Sequence, residues 1–273
     1  MAVITISRQV AALGDEVAAA LAERLGYKFI NRKIVEKKLI DLGFSEAKLK
    51  KYDERKPGFF ASLAKDHDEY MNYLQTAMLD AASEGDCVLI GRGSFIILEE
   101  LPNRFAVRLV SSNQVRLERL MKEFNWDEKQ AQQRIDESDA NRLGFHKSFF
   151  NLVSEDPAYY HMTVNTSFMD IDAAVDTIAT SMKKCITAEQ EKLGEEKLKD
   201  LIAAQKLVNI LIFEHKLPVN FLHAVINGDT VTLQGVADSV AVAEQAVTVA
   251  QKVMSGKKIV SSISIVQDFK SYP

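Results

Sequence analysis

Residues 3–25 read VITISRQVAALGDEVAAALAERL, an apolar run, a short loop and an amphipathic segment. Val3–Ile6 predicts a buried strand, and Asp15–Leu25 predicts a helix because Val17, Leu21 and Leu25 share one face. A strand, a loop and a helix in this order are typical of phosphate-binding loops, whose glycines let backbone N–H groups converge on an anion at the helix start. Gly14 is the one glycine in this loop.

The composition of the chain limits the kinds of partner and cellular location that we expect. The 273 residues carry a net charge of −4, with Lys and Arg spread among a similar number of Asp and Glu. The chain has no basic tail of the kind that favours nucleic-acid binding. We expect neither a signal peptide nor a membrane span, and the two unpaired cysteines, Cys87 and Cys185, favour a reduced, cytoplasmic protein.

Short apolar runs alternate with helical stretches over the first two thirds of the chain. The expected strands are Cys87–Ile90, Phe105–Val110 and Met162–Asn165. The expected helices cover roughly residues 68–84, 114–124, 127–139 and 171–187. Such alternation favours an α/β fold with a parallel sheet covered by helices on both faces.

The pattern changes around residues 187–194. A charged helix leads into an amphipathic helix over residues 195–213, followed by two alternating strands that meet at Asn227-Gly228, a strong hairpin signal. A helix over residues 238–254 and a strand over 258–266 complete an αββαβ order. We therefore expect two domains, residues 1–187 and 188–273.

Four motifs carry a family resemblance in the first domain. They are Ile4–Gln9, the Gly91-Arg92-Gly93 turn after an apolar strand, an arginine-bearing segment over residues 116–142, and Asn165-Thr166. In this order they resemble the cytidylate-kinase-like family of nucleoside monophosphate kinases, a P-loop type. The resemblance implies phosphoryl transfer from ATP, with Mg²⁺, to a nucleoside monophosphate or another phosphate-bearing small molecule.

The same resemblance assigns candidate roles. It implies catalytic roles for Arg134, Asp139 and Arg142, cofactor binding by Arg8, Gly14, Arg116 and Arg119, and substrate binding by Arg32 and Arg92. Phosphoryl transfer requires the phosphates to be held and their charge neutralised, which suits arginine. Arg116 and Arg119 are three residues apart on a helix, so they share a face and could grip one anion. Asp139 is positioned to orient Arg142. The alternative is that these are solvated or paired surface arginines. No metal ligands are expected.

The loop departs from the family pattern. Ala11 and Leu13 replace glycines, and we expect their Cβ atoms to resist positive φ and to crowd an anion. Asp15 replaces an arginine and would repel a triphosphate by about 1 kcal/mol or more. Asp15 also suits the first turn of a helix without any ligand. Base recognition is not assigned. The aromatic cluster of Phe145, Phe149 and Phe150 with Tyr159 and Tyr160 could stack a base, but we expect it to pack a lid against the last strand.

The second domain resembles the BON module, on Val231–Val236, the Ala-rich helix 241–253 and the strand 259–266. That resemblance implies contact with a protein partner or a lipid surface, and a homo-oligomer stays open. Three functions compete: an active kinase, a catalytically silent nucleotide or anion sensor that signals through the C-terminal domain, and a structural or assembly role.

Overall fold

The computed structural model describes residues 1–49 and 64–266. Its larger sheet has five parallel strands in the order β2-β3-β1-β4-β5. The strands are β1 (Val3–Arg8), β2 (Lys28–Ile30), β3 (Cys87–Ile90), β4 (Arg104–Val110) and β5 (Met162–Asn165). The predicted α/β fold with a parallel sheet covered by helices is confirmed.

Helices cover both faces of this sheet. They are α1 (Gly14–Leu25), α2 (Arg32–Asp41), the short α3 (Glu46–Leu49), α4 (Ala64–Ser83), the short α5 (Ser94–Ile97), α6 (Asn113–Phe124), α7 (Glu128–Phe150) and α8 (Ile171–Cys185). Ile4 and Ile6 of β1 join one core with residues of α1 and α8, while Val3 joins another with residues of α2 and α4. Because both faces are covered, the central strands are mainly apolar.

Helix α7 is eleven residues longer at its C-terminal end than the expected helix, which stopped at residue 139. Asp127 caps its start in a capping box with Gln130. The added turns carry Phe145, Phe149 and Phe150, which pack onto other elements, so tertiary contacts decide where this helix ends.

The remaining elements follow the expected αββαβ order. They are α9 (Ala188–Asn209) with a π-helical turn over Ile210–Glu214, β6 (Val219–Asn227), β7 (Thr230–Ala237), α10 (Val240–Val253) and β8 (Lys258–Ile265). Strands β6 and β7 form an antiparallel hairpin that turns at Gly228, where φ is 56°. Strand β8 pairs parallel to β7, and α9 and α10 bury apolar residues against this three-stranded sheet.

Helix α9 is continuous through Gly194, where the sequence indicated a change of structure. Leu198 packs into the core of the five-stranded sheet, whereas Leu207 packs into the core of the three-stranded sheet. One helix therefore takes part in both apolar cores.

Polar contacts reinforce the packing of α9 against α4. Gln205 donates from Nε2 to Asn72 Oδ1 at 3.1 Å, and Asn209 donates from Nδ2 to Thr76 Oγ1 at 2.9 Å. Gln205 and Asn72 are buried, so their hydrogen bonds fix the relative position of the two helices.

None of the helices within residues 1–49 and 64–266 combines the length and apolar character needed to cross a bilayer.

Gly194 lies where α9 approaches the loop before β4. This close approach predicts the effect of a substitution at Gly194 on stability. A Cβ at this position would overlap the side chain of Asn103, lying 2.8 Å from its Cβ. Asn103 is fully buried and donates to the carbonyl of Met1 at 2.7 Å, so it cannot easily move away. We expect Gly194→Ala to lower the melting temperature by about 3–6 °C, although alanine is the better helix former by about 1 kcal/mol.

The matched control is Lys192→Ala, at an exposed position of the same helix. It should leave the melting temperature within about 1 °C of the wild type, because surface substitutions usually change stability by less than about 0.5 kcal/mol. Unfolding of both variants is followed by circular dichroism. Equal melting temperatures for the two variants would contradict the close packing of α9 at Gly194.

Candidate functional site

The loop between β1 and α1 has an alternating backbone. Ala11 and Leu13 both have φ of 57°, whereas Ala12 and Gly14 do not have positive φ. Ala11 and Leu13 thus adopt the positive φ that we expected them to resist. Alternation of right- and left-handed residues turns successive N–H groups toward one concavity, the geometry of an anion-binding nest. The loop shows this alternation of φ with Gly14 as its single glycine.

Three side chains hold the loop from outside by binding consecutive carbonyls. Arg116 Nε donates to Val10 O at 2.9 Å, and Arg119 Nη1 donates to Ala11 O at 2.9 Å. Thr166 Oγ1 donates to Ala12 O at 3.2 Å. A left-handed alanine or leucine costs roughly 1–2 kcal/mol, and such strain persists where surrounding contacts over-determine the backbone. These hydrogen bonds are the physical reason that Ala11 and Leu13 adopt positive φ.

Arg116 is a support of the loop. It is 4 % exposed, and its Nη2 donates to both carboxylate oxygens of Asp139 at 2.8 Å. This pair joins α6 to α7 and leaves Arg116 outside the lining of the cleft above the loop. The expected pairing of Asp139 with Arg142 is not found among the described residues, because Arg116 takes the carboxylate and Arg142 Nη1 donates to Ser138 Oγ.

Above the loop lies an open cleft of about 690 Å³. Of the predicted residues, Arg8, Gly14, Arg119, Arg134 and Arg142 line it. Sequence reasoning missed Lys122, which lines it too and lies one helical turn from Arg119. Among the described residues, the acidic ones that line it are Asp15, Glu16 and Glu123. Five cationic described residues against these three leave an excess of two positive charges, which favours an anion.

Partial burial lowers the pKa of the Arg119 guanidinium, and nearby Glu16 opposes this shift. Arginine stays protonated at physiological pH even so. Arg119 therefore brings a positive charge to the cleft while it also holds the Ala11 carbonyl.

The second group of predicted residues lies on the other side of β1. Arg92 has a φ of 55° between Gly91 and Gly93, and it is 1 % exposed. Its Nη2 lies 2.5 Å from Glu36 Oε1, and its Nη1 donates to the hydroxyl of Tyr70 at 3.2 Å. Arg32 Nε donates to the same Glu36 oxygen at 2.6 Å. Glu36 thus joins both predicted substrate-binding arginines, and its only sequence signal is the i,i+4 spacing from Arg32.

The cavity beside Arg92 is small, at about 10 Å³. Arg8, Arg142, Phe145 and His146 are among its walls. The ring of Phe150 covers Gly93 so closely that a Cβ there would lie 2.5 Å from it. Phe149 packs against Tyr70 in the core next to α4, and Phe145 packs against Phe149. Phe150 joins an apolar cluster with Tyr160, so the expected packing next to the last strand holds for Phe150, whereas Phe145 and Phe149 pack toward α4.

The strand order of the sheet, with a nest-like loop after its central strand and a cationic cleft above the loop, defines a protein of the P-loop kinase class. A match to a family model identifies the family within this class. Residues 3–168 match the cytidylate kinase-like family, and the chain belongs to that family.

The chain is also similar to several known proteins. The chain is 22% identical to a cytidylate kinase of Methanocaldococcus jannaschii over 125 residues, which is 45% of this chain and 70% of that protein. The crystal structure of an uncharacterized protein from Eubacterium ventriosum is similar with a TM-score of 0.52 and 20% identity, covering 67% of this chain and 99% of that one. A gluconokinase from Sinorhizobium meliloti is similar with a TM-score of 0.42 and 16% identity, covering 68% and 93% of the two chains.

The buried pair of Arg116 and Asp139 predicts different stability effects for two arginines of the site. We expect Arg116→Met to destabilise the protein by about 2 kcal/mol, because it leaves Asp139 without its partner and releases the Val10 carbonyl. The melting temperature should fall by about 4–8 °C. Arg134→Met, at an exposed cleft position of α7, should change it by less than about 2 °C.

Thermal unfolding of the two variants, measured side by side, checks this prediction. If Arg116→Met were as stable as Arg134→Met, the loop would not depend on the support from α6.

Proposed function

We propose that this protein binds a nucleotide, or a related phosphate-bearing small molecule, in the cleft over residues 8–16 and acts as a catalytically silent sensor. The proposal rests on the difference in volume between two cavities. The cleft above the loop measures about 690 Å³, within the range of small-molecule sites, whereas the neighbouring cavity at Arg92 measures about 10 Å³. A ligand has room in the cleft above the loop, whereas the described cavity beside Arg92 is too small for an acceptor.

The start of α1 supports phosphate binding. The first hydrogen bond of this helix runs from Val17 N to Leu13 O, so the N–H groups of residues 14–16 precede the helical ladder. These groups carry the positive end of the helix dipole, and residues 14–16 are among those that line the cleft. Arg8, Arg119, Arg134 and Arg142 add full positive charges around the same space.

The residues present also fit ATP. The four arginines would hold its phosphates against the loop. Mg²⁺ commonly binds through one or two carboxylates together with substrate phosphates and water, and Asp15, Glu16 and Glu123 bring carboxylates to this cleft. Among the described residues, no three His, Cys, Asp or Glu side chains form a metal-binding group. The phosphates of ATP, together with water, would therefore supply most of the ligands of Mg²⁺.

Two features oppose phosphoryl transfer. Asp15 puts a negative charge at the loop where the family pattern has arginine, although charge on the transferring group must be neutralised. Arg92 is bound to Glu36 and Tyr70, and these contacts compete with an acceptor phosphate for its guanidinium.

The second candidate is phosphoryl transfer from ATP to a nucleoside monophosphate. The arginines that line the cleft favour it, because they are the residue type that stabilises this reaction. It requires Phe145, His146 and Phe150 to move away from Gly93 and Arg92.

The C-terminal segment, residues 188–273, is proposed as a BON-like domain that reads the state of the cleft. Asp68 of α4 accepts a hydrogen bond from the Phe221 backbone N–H of β6 at 2.9 Å. Its neighbour His67 stacks on Phe149 with ring centroids 4.4 Å apart. Phe149 precedes Phe150, whose ring covers Gly93. A movement of Phe150 would therefore pass through Phe149 and His67 to Asp68 of α4, and from Asp68 to the three-stranded sheet. That sheet would then contact a protein partner or a lipid surface.

Ligand-induced stabilisation tests the proposed function. ATP, inorganic tripolyphosphate and pyrophosphate are added at millimolar concentration, with and without Mg²⁺, and unfolding is followed by scanning fluorimetry. A ligand at about 100 times its Kd stabilises the folded state by about 2.7 kcal/mol, so the melting temperature should rise by several degrees. Radiolabelled ATP with each nucleoside monophosphate should yield no labelled diphosphate. No stabilisation by any of the three anions would contradict binding, and labelled product would establish the second candidate.

The charge of Asp15 provides a sharper prediction. We expect Asp15→Arg to tighten pyrophosphate binding about tenfold at low salt, because a nearby repulsion becomes an attraction, and the gain should shrink as salt rises. Isothermal titration calorimetry in the presence of EDTA measures the affinity without bound metal.

The matched control is Asp172→Arg. Asp172 is exposed at the second position of α8, as Asp15 is at the second position of α1, but it does not line the cleft. It carries the same change of net charge and should leave the affinity nearly unchanged. Equal gains in the two variants would show that net charge, and not the loop, attracts the anion.

A further inference from the structure

Phe124 is an exposed aromatic residue at the edge of a charged cleft. It is the last residue of α6, it is 48% exposed, and it lines the cleft that also contains the loop. An exposed phenylalanine gains nothing from a cationic site that binds phosphate alone. It does provide a flat apolar surface for another part of a ligand.

The ring of Phe124 is fixed by the turn that follows α6. Asn125 is left-handed, with φ of 53°, and turns the chain so that Trp126 stacks on Phe124. The ring centroids are 4.5 Å apart and the planes differ by 23°. Trp126 packs against the apolar cluster of α6 and α7, and its backbone N–H donates to Met121 O at 3.2 Å. One face of Phe124 is therefore covered by a supported indole, and its exposure belongs to the other face and the edge.

The size of the cleft agrees with a ligand larger than its phosphates. About 690 Å³ exceeds the space needed by a triphosphate bound to the loop, and the cationic residues occupy only part of the lining. An aromatic face, an apolar backing ring and cations in one cleft are the complement of a nucleotide, which has a planar base and a chain of phosphates.

We propose that the exposed face of Phe124 stacks the base of the nucleotide that this cleft binds. The inference rests on the proposed function and adds the base as the group that α6 recognises. Stacking on an aromatic ring accepts any base, since every base has a π-face. Phe124 thus distinguishes nucleotides from base-free polyphosphates and sugar phosphates, with little discrimination among bases.

Trp126 is the single tryptophan of the chain, so its fluorescence reports directly on this site. The full-length protein is titrated with ATP, GTP and CTP and with inorganic tripolyphosphate, exciting at a wavelength where bases absorb little. We expect the three nucleotides to change the Trp126 emission and to bind at least about tenfold more tightly than tripolyphosphate, as base stacking on an aromatic ring is worth about 1–3 kcal/mol.

Phe124→Leu should remove this difference. Its affinity for tripolyphosphate should equal that of the wild type, while its affinity for the nucleotides falls about tenfold or more. Phe124→Tyr keeps an aromatic face and should restore nucleotide binding. Because Trp126 loses its stacking partner in Phe124→Leu, affinities are measured by calorimetry as well, and circular dichroism confirms that each variant is folded.

Phe168→Leu is the matched control, since Phe168 is 88% exposed but does not line the cleft. It should leave every affinity unchanged. Loss of nucleotide binding in Phe168→Leu in place of Phe124→Leu would overturn the proposal, as would equal binding of nucleotides and tripolyphosphate in the wild type. In that last case the proposed anion site stands without a base site. If neither nucleotide nor tripolyphosphate binds, the proposed function and this inference fail together.

Discussion

The loop between β1 and α1 depends on hydrogen bonds that arrive from distant parts of the chain. Arg116, Arg119 and Thr166 bind three successive carbonyls, and two of these side chains come from α6 and one from the end of β5. With the carbonyls held outside, the backbone keeps left-handed conformations at an alanine and a leucine. In most loops of this kind glycine provides that freedom locally. Here the surrounding fold imposes the conformation at a cost in backbone strain.

Two sides of β1 differ in the space that they offer. On one side, arginines surround an open cleft above the loop. On the other side, Glu36 and Tyr70 contact Arg92, and aromatic side chains of α7 lie beside it. This difference in charge pairing and apolar packing is the reason that we propose a binding function in place of phosphoryl transfer.

The sequence predicted the features that depend on local patterns. Apolar strands alternating with helices are sufficient to indicate the parallel sheet, and Asn227-Gly228 is sufficient to indicate the hairpin. The backbone of Ala11 and Leu13 was not predictable in this way, because Arg116 and Arg119 lie more than a hundred residues away. The partner of Asp139 was assigned to Arg142 by spacing alone, and tertiary packing gave it to Arg116. The final turns of α7 were missed because their aromatic residues show no surface periodicity and are stabilised by α4 and Gly93.

The sharing of α9 between two cores has a consequence for how the chain acquires its structure during synthesis. The groove along α4 receives Leu198 and Gln205 from a helix that begins only at residue 188. Residues 1–187 therefore leave the ribosome with an apolar strip of α4 still exposed to water. Burial of that strip waits for α9, so the late-synthesised part of the chain completes the folding of the early part.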